Sequence, residues 1–589
     1  MCRKTKYLYN YTLSCYTLSC NGARATMPND SPYFKQFKKK KSPVTETAQK
    51  KEGAKSKDLP KKSKQQLMRE QKAIVKENVT SIISDRWNEA MQNNGMKIII
   101  HTGGTNSGKT YNAILDLKKK GIVGAYLAPL RLLASEIFDK LNSEDILCSL
   151  YTGEEKKIVK DATIRSSTIE MFNFQEEYDV VVIDECQMIS DPSRGAAWTH
   201  AILKVKTKVL HLIVAPHGVT LLERLLLKLN RNYTIRRYQR ISPLKVSETH
   251  NPLKKPVEKT IYVVFSRLQV LELKQFFESK NIKVSCLYGN LPPEVKRMQS
   301  KRFLEGETQI AVATDCLGMG LNLPADRVVF VEIEKFDGLK VRPINASEVQ
   351  QIGGRAGRYG LSECGYVSAV NSPALAFIKQ KMEEEISDLH KAMIAPELEE
   401  LEAIPKNLLH EKLSEWKELR SIPKELKDII EHVYLDEKIE LAKMLSVEQQ
   451  QTLGLSKSYL LCMAPIIRNI TEYWRRCAHA ICHGQFLPKP NSIKDVKTQN
   501  DIVFLESCIK EHELYMWLGL RKPFEFFAND MEGVWGNKYT LIDLLDKALM
   551  NFTKMKRRQC VSCGNELPTG FKFKICQSCY DDPIEKGWD

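Results

Sequence analysis

Ile98-Ile99-Ile100-His101-Thr102-Gly103-Gly104-Thr105-Asn106-Ser107-Gly108-Lys109-Thr110 contains the pattern G-x-x-x-x-G-K-T. The β-branched apolar triplet before it reads as a buried strand. Tyr111 to Lys120 after it reads as a helix. Strand, glycine loop and helix in that order form a context in which such a loop holds phosphate. Glycines let the backbone curl until successive N–H groups point inward. The helix N-terminus adds partial positive charge. Gly103, Gly104, Thr105, Asn106, Ser107 and Gly108 would cradle a polyphosphate. Lys109 would reach its outer phosphates, and the Thr110 hydroxyl would ligate Mg²⁺.

Outward from the loop, apolar runs alternate with helical stretches. Ala125 to Leu127, Val180 to Ile183 and, but for His211, Val209 to Val214 are short and apolar throughout. Such runs suit a parallel sheet covered on both faces. The run 180–183 ends in Asp184-Glu185-Cys186-Gln187. An acidic pair there pairs naturally with a phosphate loop. Asp184 would hold Mg²⁺, and Glu185 would orient and deprotonate an attacking water. Residues 96–240 are therefore read as one nucleotide-binding domain.

A second α/β pattern, 241–375, has no glycine loop of its own. Its strands are Ile261 to Phe265, Ile310 to Ala313 and Val328 to Ile333. It carries Thr314-Asp315-Cys316 and Gly320, then Gln351-Ile352-Gly353-Gly354-Arg355-Ala356-Gly357-Arg358. Arg355 and Arg358 sit three apart, so both can face one site. Planar, permanently charged guanidiniums suit a developing γ-phosphate charge across a cleft. Gln351 would help position that phosphate or the water.

Loop, DExQ box and Q-x-x-G-R-x-x-R, in this order, look like a superfamily 2 helicase with two RecA-like domains. Further segments narrow the resemblance: HTGGTNSGKTY, LAPLRLLASEIFDKL (127–141), YTGEE (151–155), STIEM (167–171), VVIDECQMISDPSRGAAWT (181–199), YGNLPPEVK (288–296) and ATDCLGMGLNL (313–323). Together with QIGGRAGR they resemble the mitochondrial degradosome RNA helicases of the suppressor-of-var type. Gly104 departs from the usual Pro of that pattern. Cys186 and Cys316 replace apolar residues and read as small buried thiols. The resemblance implies ATP and Mg²⁺ as cofactors and Thr314 on the nucleic-acid backbone. It implies Asp315 and Gly320 at the nucleotide, RNA as substrate, 3′-to-5′ movement, and an exoribonuclease partner. It implies the mitochondrial matrix in a eukaryote or the cytoplasm in a bacterium. A DNA helicase, or an ATP-gated RNA-binding scaffold, is the alternative. The intact Lys109, Asp184, Glu185, Arg355 and Arg358 speak against the scaffold, whereas RNA and DNA are not separated by phosphate-directed contacts.

The flanks differ in composition. Residues 1–66 hold sixteen Lys/Arg against four Asp/Glu, a surplus of twelve within a chain net charge of +17. The remainder is thus only mildly basic, and overall charge says little about its partner. The tail opens with the duplication YTLSC-YTLSC (11–20) and has no acid before Asp30. A targeting segment and a misassigned start at Met27 both fit. Lys38 to Lys41 and the Ser, Pro and Thr around them read as disordered. Residues 67–95 read as a helical lead-in. Residues 376–555 turn Glu-, Lys- and Leu-rich with helical periodicity, as in Ile429 to Leu445. LSKSYLLCMAPI (455–466) and ELYMWLGLRKPFEFF (513–527) resemble the helical domain that follows the motor in the same family. Finally, residues 556–589 contain Cys560-x-x-Cys563 and Cys576-x-x-Cys579. That spacing suits a closed tetrahedral Zn²⁺ site in a small ribbon. The sixteen cysteines, otherwise unpatterned, fit a reducing compartment. No apolar run nears the ~20 residues of a membrane span. The expected architecture is two tandem RecA-like α/β domains, an all-α region and a zinc ribbon.

Overall fold

In the computed structural model the described residues are 63–93, 95–318, 323, 325–338, 340–357 and 364–552. A helix, Lys64–Gln92, leads in. Its exposed first half gives way to a buried stripe, Val79, Ile83, Trp87 and Ala90. Those residues repeat at helical spacing and so meet one core. Arg86 anchors the helix, donating to Glu397 at 2.7 Å and to Glu400. Glu400 is wholly buried and also accepts from Trp416 Nε1 at 2.6 Å.

Eight strands build the first sheet. In chain order they are β1 (Lys97–Gly103), β2 (Gly124–Ala128), β3 (Cys148–Tyr151), β4 (Lys156–Lys157), β5 (Ile164–Thr168), β6 (Tyr178–Ile183), β7 (Thr207–Val214) and β8 (Tyr233–Tyr238). The spatial order is β4-β3-β5-β2-β6-β7-β1-β8. Only the β3–β4 pair is antiparallel. β1 sits between β7 and β8, with Ile99 opposite His211 and Thr234. Parallel strands share one carboxyl edge, so the glycine loop after β1 and the acidic pair after β6 emerge on the same rim.

The second sheet uses β9 (Leu244–Val246), β10 (Thr260–Val263), β11 (Val284–Leu287), β12 (Ile310–Ala313), β13 (Arg327–Phe330) and β16 (Gly365–Ala369). Its order is β11-β12-β10-β13-β16-β9, all parallel. A hairpin of β14 (Glu334–Phe336) and β15 (Val341–Pro343) projects beside it.

Two expected helices are shorter than read. The helix after the glycine loop is Lys109–Ile114, followed by a tight 3₁₀ turn, Asp116–Lys118. The stretch 429–445 divides into a strand, Ile430–His432, and a helix, Asp436–Lys443. Ile430 pairs with Ala392 in a two-stranded parallel ribbon. The region after residue 376 is otherwise helical among the described residues.

That region does not form a separate bundle. Leu413, Trp416, Trp474 and Leu514 join the core beneath the first sheet. Ile502, Leu505, Leu541 and Leu545 join the core of the second. Helix Gln499–Gly519 thus buries its first half in the core of the second motor domain and its second half in the large core that the first sheet shares with the C-terminal helices.

Candidate functional site

The glycine loop needs backbone shapes that most residues avoid. Gly108 has φ 80° and Asn106 has φ 56°. A left-handed Asn is tolerable because its short side chain bonds locally. Gly103 is fixed by crowding: a Cβ there would lie 2.2 Å from the Tyr238 carbonyl oxygen. Lys109 Nζ turns back on the loop and donates to the Gly103 and Gly104 carbonyls, each at 2.6 Å. Burial lowers its pKa from the usual lysine value.

The acidic pair stands against the loop. Thr110 Oγ1 donates to Asp184 Oδ2 at 3.2 Å, and Tyr126 OH donates to the same oxygen at 2.6 Å. Asp184 Oδ1 accepts from the Glu185 N–H at 2.8 Å. Burial and the neighbouring Glu185 charge push Asp184 up to about 6. Trp198, fully buried, donates Nε1–H to the Asp184 carbonyl at 3.0 Å. Glu185 is held in the left-handed region at φ 51°. Strain of that kind persists where surroundings over-determine it, commonly at working sites. Those surroundings are Gln187, which donates to Glu185 and accepts from the Ala215 N–H at 3.0 Å at the end of β7.

Across the cleft stands Arg355, half-buried and near enough to this pair to feel its charge. Its Nη2 donates to the Gly318 carbonyl at 2.7 Å, while its Nε has no hydrogen-bond partner among the described residues. Burial lowers its pKa, and Glu185, Glu136 and Asp184 oppose that. Gln351 lies against Gly318, within 3.3 Å of where a Cβ on that glycine would stand. The two domains touch directly here. Thr105 Oγ1 donates to the Gly354 carbonyl at 3.1 Å, and Asn106 Nδ2 donates to that of Gly357 at 2.7 Å.

The donor set fits a Mg²⁺–nucleoside triphosphate. Thr110 and Asp184 are hard oxygens already in contact, which suits Mg²⁺. Loop N–H groups, Lys109 and the unpartnered Arg355 Nε suit phosphate oxygens.

Other expected residues lie nearby in different roles. Thr314 caps the turn Asp315–Leu317 by accepting from the Cys316 N–H at 3.4 Å. Asp315 is paired with Lys335 at 2.8 Å. Cys186 is wholly buried, whereas Cys316 is only partly so. Arg358, Gly320 and the zinc candidates Cys560, Cys563, Cys576 and Cys579 lie outside the described residues. Sequence reading missed Tyr126 and left Gln187 without a role. A tyrosine inside an apolar strand carries no local mark of touching a carboxylate from another strand.

Motif segments also meet at a three-way junction. Arg131 (127–141) pairs with Glu154 and with Glu513 at 3.0 Å. Lys538 reaches Glu294 at 3.2 Å and Glu513 at 3.6 Å, and Lys510 reaches Glu513 at 2.6 Å. Both motor domains and the helices 499–519 and 531–550 therefore share one buried ionic cluster.

Comparison with known proteins places these features. The family description "DEXQ-box helicase domain of Suv3" matches residues 84–238, and "Helicase conserved C-terminal domain" matches 244–360. The "DExH-box ATP-dependent RNA helicase DExH16, mitochondrial" of Arabidopsis thaliana is 31% identical over 463 residues, covering 75% of this chain and 79% of its own. The "ATP-dependent RNA helicase SUV3, mitochondrial" of Candida albicans is 40% identical over 309 residues, 51% of this chain and 43% of its own. The "ATP-dependent RNA helicase SUPV3L1, mitochondrial" of Gallus gallus is 32% identical over 491 residues, 78% and 60%. The chain thus spans less than two thirds of the last two.

Proposed function

The chain belongs to the Suv3 family of DEXQ-box helicases, and from that premise we propose that it hydrolyses ATP to move 3′ to 5′ along single-stranded RNA and separate duplexes. The observation that carries the reading is the meeting of three sequence-distant elements in one cleft: Lys109 and Thr110, Asp184 and Glu185, and Arg355.

Thr110 and Asp184 would hold Mg²⁺, which would supply charge neutralisation on the phosphates. The loop N–H groups and Lys109 bind the phosphates once Lys109 exchanges its carbonyl partners for them. Glu185, pinned by Gln187, orients the attacking water and takes its proton. Arg355 turns its Nε–H, unpartnered among the described residues, toward charge that develops on the transferred phosphoryl group. Closing the cleft excludes water and brings Arg355 to bear; release of products relaxes it. Helix 499–519, seated on both domains, would carry that motion to the strand path.

RNA rather than DNA follows from the names of the relatives. Those names also motivate a mitochondrial location; the resemblance to degradosome RNA helicases is what suggests a role in RNA degradation beside an exoribonuclease. No helix among the described residues is long and apolar enough to cross a membrane. The cysteine spacing at 560–579 supports a structural Zn²⁺ ribbon, and Lys554, Lys556, Arg557 and Arg558 beside it suit docking to a polyanion.

The test is strand separation on matched RNA and DNA duplexes carrying a 3′ tail, a 5′ tail or none. Activity on 3′-tailed RNA is expected. Preference for 5′ tails refutes the direction, and activity on DNA alone refutes the substrate.

A further inference from the structure

Arg240 lies two residues beyond β8, in the segment joining the two sheets. Its Nη1 donates to the Thr105 carbonyl at 3.2 Å, to Thr105 Oγ1 at 3.1 Å and to the Gly354 carbonyl at 2.8 Å. Its Nη2 donates to the Gly357 carbonyl at 3.2 Å and to that of Ala356. Its Nε donates to the Ser242 carbonyl at 2.7 Å. No carboxylate pairs with it among the described residues.

This is an unusual use of a guanidinium. A permanently charged fork usually seeks an anion, and its five donors match paired acceptors in a plane. Here the acceptors are neutral and come from three segments: the glycine loop, the connecting segment and the turn that carries Arg355. The carbonyls on both sides of Arg355, those of Gly354 and Ala356, face Arg240. The Arg355 side chain instead turns to the other side, where its Nη2 donates to the Gly318 carbonyl at 2.7 Å. Gripping the backbone on both sides of a residue sets where its side chain emerges.

We propose that Arg240 is a positioning residue of the ATP cleft. It locks the arginine turn to the glycine loop in the register from which Arg355 reaches the transferred phosphoryl group. The proposal rests on the ATPase reading above. It also gives phosphate binding a path across the cleft, since movement of the loop at Thr105 reaches the turn through this side chain as well as through the direct Thr105–Gly354 and Asn106–Gly357 bonds.

The experiment uses the full chain with a single-stranded RNA oligonucleotide. It measures steady-state ATP turnover and the affinity for a fluorescent non-hydrolysable ATP analogue. Loss of several charge-assisted bonds should lower kcat of Arg240→Ala about tenfold or more, with affinity changed less than about threefold. Arg240→Lys should recover only a small part, because a single ammonium cannot serve both loops. In an Arg355→Ala background, Arg240→Ala should cost less than about twofold further, since it acts through that side chain. Fully multiplicative losses, or affinity falling as far as kcat, overturn the proposal. If Arg240→Ala does not fold by thermal melting, Arg240→Lys carries the same double-variant comparison. Absence of ATP turnover in the unmodified chain would overturn the ATPase reading. Turnover there, matched by the Arg240 variants, would overturn this proposal alone.

Discussion

Gly354→Ala adds one methyl group where the two motor domains touch. Gly354 has φ −60° and ψ −10°, an ordinary helical shape that alanine adopts freely. By local criteria alone the change should stabilise the chain by about 0.4–1 kcal/mol, through the unfolded state. Tertiary geometry argues the opposite. The new Cβ would stand 2.1 Å from Thr105 Oγ1, 3.1 Å from Thr105 Cβ and 2.7 Å from the Gln350 carbonyl oxygen. Ordinary contact begins near 3.5 Å, so the turn and the glycine loop must part by about 1 Å. Rotating the Thr105 hydroxyl away relieves only the closest contact and gives up its bond to the Gly354 carbonyl. A 1 Å misplacement of a catalytic group costs about 10² in rate. ATP turnover should therefore fall about 100-fold, while the melting temperature stays close to that of the parent, because overpacking of about 1–3 kcal/mol is partly offset by the backbone gain. Steady-state hydrolysis and thermal melting on the same preparations decide it. Thr105→Ala added to Gly354→Ala should turn over faster than Gly354→Ala alone. A single variant with parental kcat, or a double variant slower by the product of the two losses, would refute the packing argument.

Other perturbations test separate parts of the molecule. Lys109→Ala should weaken nucleotide binding and hydrolysis together, whereas Glu185→Gln should retain binding and lose hydrolysis, read by titration beside turnover. Arg86→Ala strands the buried Glu400 and should cost about 3–5 kcal/mol by denaturant titration; a loss under about 1 kcal/mol would show that the pair is not buried in solution. Stability should fall as pH drops from 6.5 toward 4. Burial lowers His101 and His432 to about 4, so the unfolded chain takes up protons near 6.5 that the folded chain refuses. A melting temperature that is flat or rising between pH 7 and pH 5 would contradict that. Metal analysis should find about one Zn²⁺ per chain, lost on Cys563→Ser and Cys576→Ser, as four-thiolate ligation requires.

The sequence alone determined the chemical elements of the cleft. Gly103 to Thr110, Asp184-Glu185 and the 351–358 segment are each contiguous, and each needs its residue types at fixed spacing along one turn or strand end. Continuous apolar runs likewise announced β1, β2, β6, β7, β10, β12 and β13, because a doubly covered strand must be apolar throughout. β8 and β9 gave no such signal. Their residues are half-exposed edge positions with Arg236, Arg237 and Lys245 among them, and only pairing with β1 and β16 makes them strands. Ile429 to Leu445 carries helical spacing, yet Ile430 finds a partner in Ala392, nearly forty residues away, and tertiary pairing overrides the local preference.

The tertiary structure alone decided how the elements act on one another. Glu185 occupies a left-handed conformation that its residue type does not suggest, because Gln187 and the end of β7 hold it there. Arg355 is poised by Arg240, more than a hundred residues earlier, through backbone carbonyls that every residue possesses and no motif records. Helix 499–519 lies in a region that the sequence marks only as helical, but it divides its burial between the core of the second motor domain and the core that the first sheet shares with the C-terminal helices. Local pattern reports what a side chain can do at its own turn or strand. Which carbonyl, carboxylate or core it meets depends on contacts between distant segments, and these exist only once the chain has packed.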